Sequence, residues 1–487
     1  MIKIIVLSVF LTATLALSAE ARSVLLNAAW LQNADKNDIQ MQINIGTNLN
    51  ETDDTGRTPL IYAIVFEKNP EIVQMLIKNG AKVNIETDDG LSPLIYALSV
   101  NSVPKIVEIL LDNNADIRLE DKHGRPPLIL ALEHHFPPHI IQALIKHGAD
   151  VNAEYIDTHK NLHLTPLLAG LQNHADIQTI QVLLQNEAEP NQMSADGLTP
   201  LTEALLQNAD IATVELLLKY GADINRAAGN GLTPLMSSFA CNDKTISDFL
   251  IDKGADISQP TPDNMPLLFY ALFHNASPKS VEYLIEHGAD VKQPYKKAQT
   301  SLIFAVRNKC STELVAVLIK FGAEVNARDQ NGQTALMYAA DVSTAELLVT
   351  HGADINARNN EGMTPLMSVC ASGATPATIN VLVTNGANVN AVDNDGNTPL
   401  LFAVAANNID AVKSLIGFGA EVNVQNNDGI SPLMKAVESK ASPSVIKALL
   451  NAGADAKARN RNNRSILQIA EKHYPEIMEL LLQNGAV

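Results

Sequence analysis

The chain has 487 residues, 46 % of them hydrophobic and 4 % aromatic, and carries a formal charge of -18. So acidic a surface excludes nucleic acid and anionic lipid as primary partners, since both need a Lys/Arg face; it favours solubility and partners with basic patches. A single Trp, Trp30, and few large rings suit thin layers of Leu, Ile, Val and Ala.

The first 23 residues read MIKIIVLSVFLTATLALSAEARS. Lys3 precedes an uncharged apolar run from Ile4 to Leu17, and Ala19-Glu20-Ala21 offers a small-residue cleavage site. This is the pattern of a secretory signal peptide over residues 1–21, too short for a comfortable transmembrane helix. The alternative is an uncleaved anchor. Cleavage after Ala21 makes Arg22 the first mature residue and implies a secreted or periplasmic protein. No later apolar run is long enough to span a bilayer, so the mature chain is expected not to insert into a membrane. Cys241, Cys310 and Cys370 are odd in number and far apart, which is no disulfide framework. Each is read as a buried free thiol on the first helix of a different structural unit.

From residue 25 onward one phrase recurs. The position of Gly in Gly-Ala-Asp-x-Asn falls at 46, 80, 114, 148, 187, 221, 254, 288, 322, 352, 386, 419, 453 and 485, with steps that are mostly 33 or 34 residues. A period in the low thirties means stacked supersecondary units. Residues 428–453, DGISPLMKAVESKASPSVIKALLNAG, show how one unit is built. Asp428-Gly429 is a turn. Ser431-Pro432 starts a helix with a hydroxyl cap and Pro at the first helical position. Ser442-Pro443 opens a second helix, whose Val445, Ile446, Leu449 and Leu450 share one face. Gly453 ends it with a left-handed cap. Pro70, Pro104, Pro138, Pro278, Pro376 and Pro475 open other second helices in the same way.

The sequence resembles the ankyrin repeat family. The carriers are Thr-Pro-Leu at 58–60, 165–167, 199–201, 233–235, 364–366 and 398–400, and Gly-Ala-Asp-x-Asn at 148–152, 221–225 and 352–356. The family often has His after Thr-Pro-Leu; here that slot holds Ile61, Ile95, Met236, Met367 or Leu401. The resemblance implies an all-α repeat solenoid of helix-loop-helix units with β-hairpin or turn fingers, stacked in a curve. At roughly 10 Å per layer, fourteen units would make an arc well over 100 Å long. Residues 22–52 read as a degenerate N-terminal capping repeat, 53–487 as the array and 458–487 as its C-terminal cap, with ragged ends as a solenoid requires.

Three places break the rule. An insertion gives an extended finger at 153–164, with Tyr155 and Ile156 as exposed apolar residues; it is either a partner contact or a tolerated loop insertion. The repeat at 334–356 is shortened, and about one helical turn is missing from its first helix or its loop. Residues 258–266, SQPTPDNMP, make a finger stiffened by Pro260 and Pro262.

Eight of the twelve His lie between His123 and His174, and His159 and His163 are four apart, a permissible metal-ligand spacing. His147, His287 and His351 instead occupy the residue before a capping Gly, where a cation suits the helix C-terminus. The Asp-rich turns fail the calcium-loop pattern. No phosphate loop, HExxH, CxxC or GxSxG occurs, so no enzyme and no cofactor are expected. Aromatics recur three residues after the Pro slot, at Tyr62, Tyr96, Phe269, Phe304, Tyr338 and Phe402, either packed between repeats or lining a groove. By the resemblance, binding is expected at fingers and at the inner helix face. The candidate partner-binding residues are Arg57, Leu91, Arg125, Tyr155, Ile156, Leu198, Leu232, Met363 and Ile430. The expected function is a monomeric, non-catalytic scaffold that binds another protein. The alternatives are a metal- or small-ligand-binding envelope protein using the His-rich region 123–174, or a structural envelope scaffold.

Overall fold

The computed structural model describes residues 24–66, 69–157, 162–241, 243–259, 261–373 and 375–487. The signal-peptide residues 1–21 and His159 lie outside the described residues. The chain forms two compact units, one ending at Pro234 and the other running from Leu235 to Val487.

Each unit is a stack of helix pairs. In the first, seven-residue helices such as Pro59–Val65, Pro93–Ser99 and Pro200–Leu206 alternate with nine-residue helices such as Pro70–Lys78, Pro104–Asp112 and Ile211–Lys219. The second unit repeats the scheme, for example in Pro399–Ala405 followed by Ile409–Gly417. First helices pack on first helices and second on second. The starts are set by the Thr-Pro device: the Thr58 hydroxyl accepts from the Ile61 N–H at 3.3 Å while Pro59 gives up no needed donor. The ends are set by left-handed residues. Gly80 has φ +102°, and the Ala81 N–H reaches back to the Leu76 carbonyl at 3.0 Å. Asn114 and Glu187 adopt the same conformation at φ 62° and 68° without being glycine.

The first helices carry most of the core. Leu60, Ile61, Ala63 and Ile64 are wholly buried, whereas Pro70–Lys78 buries one face through Ile72, Val73 and Leu76. Each of the Leu, Ile and Val side chains contributes about 2 kcal/mol of burial, so thin layers hold without many aromatics. All three cysteines are buried, and none is in a disulfide. Cys370 lies on a first helix, but Cys241 and Cys310 sit just past the ends of theirs, a small correction to the expected placement. Burial pushes the Cys370 thiol up to about 12 and the Cys310 thiol to about 11, so neither is a thiolate at neutral pH.

The irregular repeats have simple structures. The insertion forms strand β1, Tyr155–Asp157, antiparallel to strand β2, Leu162–Leu164, with Tyr155 opposite Leu164. The shortened repeat loses its turn from the first helix, which spans only Ala335–Tyr338, while its second helix Val342–Thr350 keeps nine residues. Thr334 there makes no capping bond, and its buried hydroxyl has no partner.

Neighbouring pairs are joined by one recurring contact. Asn356 donates its amide N–H to the Gly386 carbonyl at 3.0 Å, and its amide oxygen accepts from the Asn388 N–H at 3.0 Å. Asn50, Asn84, Asn152, Asn191, Asn326, Asn390 and Asn423 do the same to the next pair. Replacing Asn356 with Ala removes both bonds, and at about 1 kcal/mol net each the expected cost is about 1–2 kcal/mol. The check is a lower urea midpoint, with amide exchange accelerated around residues 356–388 before elsewhere.

Candidate protein-interaction surface

The fingers between helix pairs are built from side-chain-bonded turns. Asp53 Oδ1 accepts from the Thr55 N–H at 2.8 Å and the Arg57 N–H at 2.9 Å. Asp121, Asp329, Asn359, Asp393, Asn426 and Asn460 accept in the same pattern. The acidic residues of these turns are therefore used in folding the finger. Successive fingers are then tied backbone to backbone: the Asp88 N–H donates to the Thr55 carbonyl at 3.1 Å, Asn360 to Asn331 at 3.0 Å, and Asn394 to Glu361 at 3.0 Å. This close approach needs glycine. A Cβ on Gly56, at φ +76°, would lie 2.6 Å from the Asp88 nitrogen.

On this ribbon Leu91, Leu198, Leu232 and Met363 are half-buried at equivalent positions, each one residue past the turn Gly. Ile430, in the same slot, is buried at 9 % exposure, against the expectation of an exposed side chain. The following finger closes on its turn, where the Arg461 N–H donates to the Asp428 carbonyl at 3.0 Å. The extended finger needs a second correction. Ile156 is 48 % exposed as expected, but Tyr155 is only 4 % exposed. Adjacent residues of a strand point to opposite faces, so the two could not both face solvent.

The arginines are also partly committed. Arg57 Nε donates to the Tyr96 hydroxyl at 3.3 Å, with the guanidinium 5.9 Å from that ring. Arg125 pairs with Asp121 and with Glu133, both at 2.7 Å. Each holds its finger against the first helices and remains partly exposed. Among the recurring aromatics, Tyr62 donates to Asp53 Oδ2 at 2.6 Å and Tyr338 to Asp329 Oδ2 at 2.8 Å, a finger-to-helix brace that the sequence did not announce. Phe269 and Phe304 pack edge-to-face with centroids 5.2 Å apart. Burial alone would raise the Asp53 carboxyl, but bonds from Tyr62, Arg57 and Thr55 outweigh it and hold it below its usual value.

The histidines before the capping glycines serve as helix ends. His147, His287 and His351 each place Nδ1 2.8–2.9 Å from the carbonyl four residues back. Asn79, Asn113, Asn186 and Asn385 fill the same slot and donate to the same carbonyl. Among the described residues no group of three His, Cys, Asp or Glu could hold a metal ion. His163 lies on β2, and His159, four residues before it, is outside the described residues.

The fold and its braced fingers define a helical repeat protein whose distinctive surface is a ribbon of loops. The family described as ankyrin repeats (3 copies) matches in stretches that together cover residues 25–155 and 167–487. The chain belongs to the ankyrin repeat family. Among solved structures, the ankyrin repeat domain of Bcl-3, described as a unique member of the IkappaB protein family, is 28 % identical with a TM-score of 0.38, covering 44 % of this chain and 97 % of that one. The human ASB11 ankyrin repeat domain is 24 % identical with a TM-score of 0.40, covering 45 % and 98 %. No curated protein matches the sequence. Ankyrin repeat domains are typically non-enzymatic scaffolds for protein–protein interaction.

Burial, and next the bond to the finger carboxylate, push Tyr62 and Tyr338 up to about 12 from an ordinary 10.0. Their raised folded values mean that this stabilisation is fully present below pH 10 and is lost as pH rises through about 12. A phenolate absorbance titration is expected to show a late phase that disappears in the Y62F/Y338F double variant; a titration unchanged by the two substitutions overturns the brace.

Proposed function

We propose that this chain is an exported, non-catalytic scaffold that binds a partner protein along its finger ribbon. The observation that carries the reading is the backbone tie between successive fingers, such as Asp88 to Thr55 at 3.1 Å. Tied fingers hold Leu91 beside Arg57, and Leu198 beside Leu232, in fixed register. A pre-ordered surface loses little entropy on binding. In this reading Ile156, Leu198 and Leu232 supply apolar contact area, and the partly exposed Arg57 and Arg125 supply charge. Met363 extends the same pattern in the second unit. Tyr155 and Ile430 act indirectly, by supporting their fingers from below.

The acidic surface suits a partner with a basic patch, and a monomeric scaffold is sufficient for this mode of binding. Residues 22–52 and 458–487 serve as caps in this reading, and 1–21 as a cleaved signal. Neither a metal-dependent role nor a purely structural one has a specific observation in its favour.

The I156D/L198D/L232D variant changes only exposed or half-buried finger positions and is expected to keep the wild-type circular dichroism. In capture from the native compartment it should lose a saturable partner by at least about tenfold. A folded variant that retains wild-type binding refutes the finger assignment. For export, N-terminal sequencing of the protein produced in its own host should begin at Arg22; a chain beginning at Met1 in the cytosol refutes it.

A further inference from the structure

The repeat array displays its own ligand chemistry. At eight of the joints among the described residues the chain inserts an Asn carboxamide that bridges a capping-residue carbonyl and the N–H two residues on, as Asn326 does to Gly352 at 2.9 Å and Asp354 at 2.7 Å. The joint that ends at Gly288 lacks this insert. Ser258 stands in the Asn slot and is the smallest side chain found there. Its hydroxyl is turned back to Asp256 Oδ1 at 2.7 Å, the same oxygen that accepts from its own N–H at 2.8 Å. Elsewhere the slot is filled by longer stems where Asn is missing, namely Arg118, Lys292 and Lys457.

A cavity of about 330 Å³ opens at this joint. Ser258, Gly288 and Asp290 lie on its wall, and Ile257, Pro266 and Leu267 are its partly exposed apolar lining. The Gly288 carbonyl and the Asp290 N–H are the equivalents of the two groups that an Asn bridges at the other joints. The site therefore combines an acceptor and a donor at carboxamide spacing with an apolar wall.

We propose that this socket binds a primary carboxamide, either a small aromatic or aliphatic amide or the side chain of Asn or Gln from a partner. The ligand NH2 donates to the Gly288 carbonyl, its C=O accepts from the Asp290 N–H, and its apolar remainder lies against Ile257 and Pro266. The inference does not depend on the finger ribbon, and its failure would leave that reading untouched.

The test uses the full mature chain, isotopically labelled, titrated with benzamide and, separately, with N-acetyl-asparagine methylamide. Both probes should shift the Asp290 amide resonance with a dissociation constant on the order of 1 mM, and benzoate should not. Tighter binding of benzamide assigns the socket to a small amide, and tighter binding of the asparagine derivative assigns it to a partner side chain. S258N supplies the carboxamide from the chain itself. It should weaken both probes at least about tenfold, equivalent to about 1.4 kcal/mol, and raise the melting temperature, whereas S258A should bind as wild type. Benzoate binding as well as benzamide, or S258N binding both probes undiminished, overturns the proposal.

Discussion

A carboxamide side chain reaching into the next repeat is the contact on which the stacks depend. Helix pairs of seven and nine residues are too short to persist alone in water. Each buries only part of its apolar surface within itself and must lean on a neighbour. Hydrophobic packing between first helices supplies the attraction but no register, because Leu and Ile accept many offsets. The Asn bridge supplies register: its donor and acceptor meet a carbonyl and an N–H on one chain segment, at one spacing. Once that offset is set, the fingers approach closely enough for backbone bonds such as Asn360 to Asn331, and only glycine fits beside them.

The same economy governs the fingers. Their polar side chains are mostly spent on the turns themselves, and Arg57, Tyr62 and Arg125 brace finger to helix. What remains for a partner is the small set of positions that change from copy to copy. A scaffold of this kind keeps its architecture in the repeated letters and its specificity in the variable ones. The turn carboxylates show why an acidic composition is a poor guide to metal binding here: Asp121 already accepts from two backbone N–H groups and from Arg125.

Most of the fold was legible because each unit punctuates itself. Thr-Pro marks a helix start and a left-handed residue marks its end, so even Asn114 and Glu187 could be placed by spacing before their φ values were known. The site was less legible. Tyr155 beside Ile156 was read as a pair, although strand alternation alone would have separated them. Ile430 shares its slot with Leu91 and Met363 yet is more deeply buried, a difference that no local pattern encodes. The Tyr–Asp braces join residues nine apart across a turn and a helix start, a spacing that belongs to no standard motif. The bridging Asn was visible as a recurrent letter, but its partners lie about one repeat away, so its role emerged only in three dimensions.

Reliance on asparagine also sets a chemical lifetime. Asparagine converts slowly to aspartate, fastest where glycine follows and the backbone nitrogen can attack the side chain freely. In the bridging position that change would remove the N–H aimed at the Gly carbonyl and set a negative oxygen against it. The bridging residues are followed by Glu51, Ile85, Ala153, Gln192, Ala327, Ala357, Ala391 and Val424, never by glycine. The Asn-Gly pairs at 79–80, 230–231, 331–332, 385–386 and 484–485 all lie outside the bridging slots. Deamidation therefore falls first on helix ends and finger tips, and the joints of the stack age last.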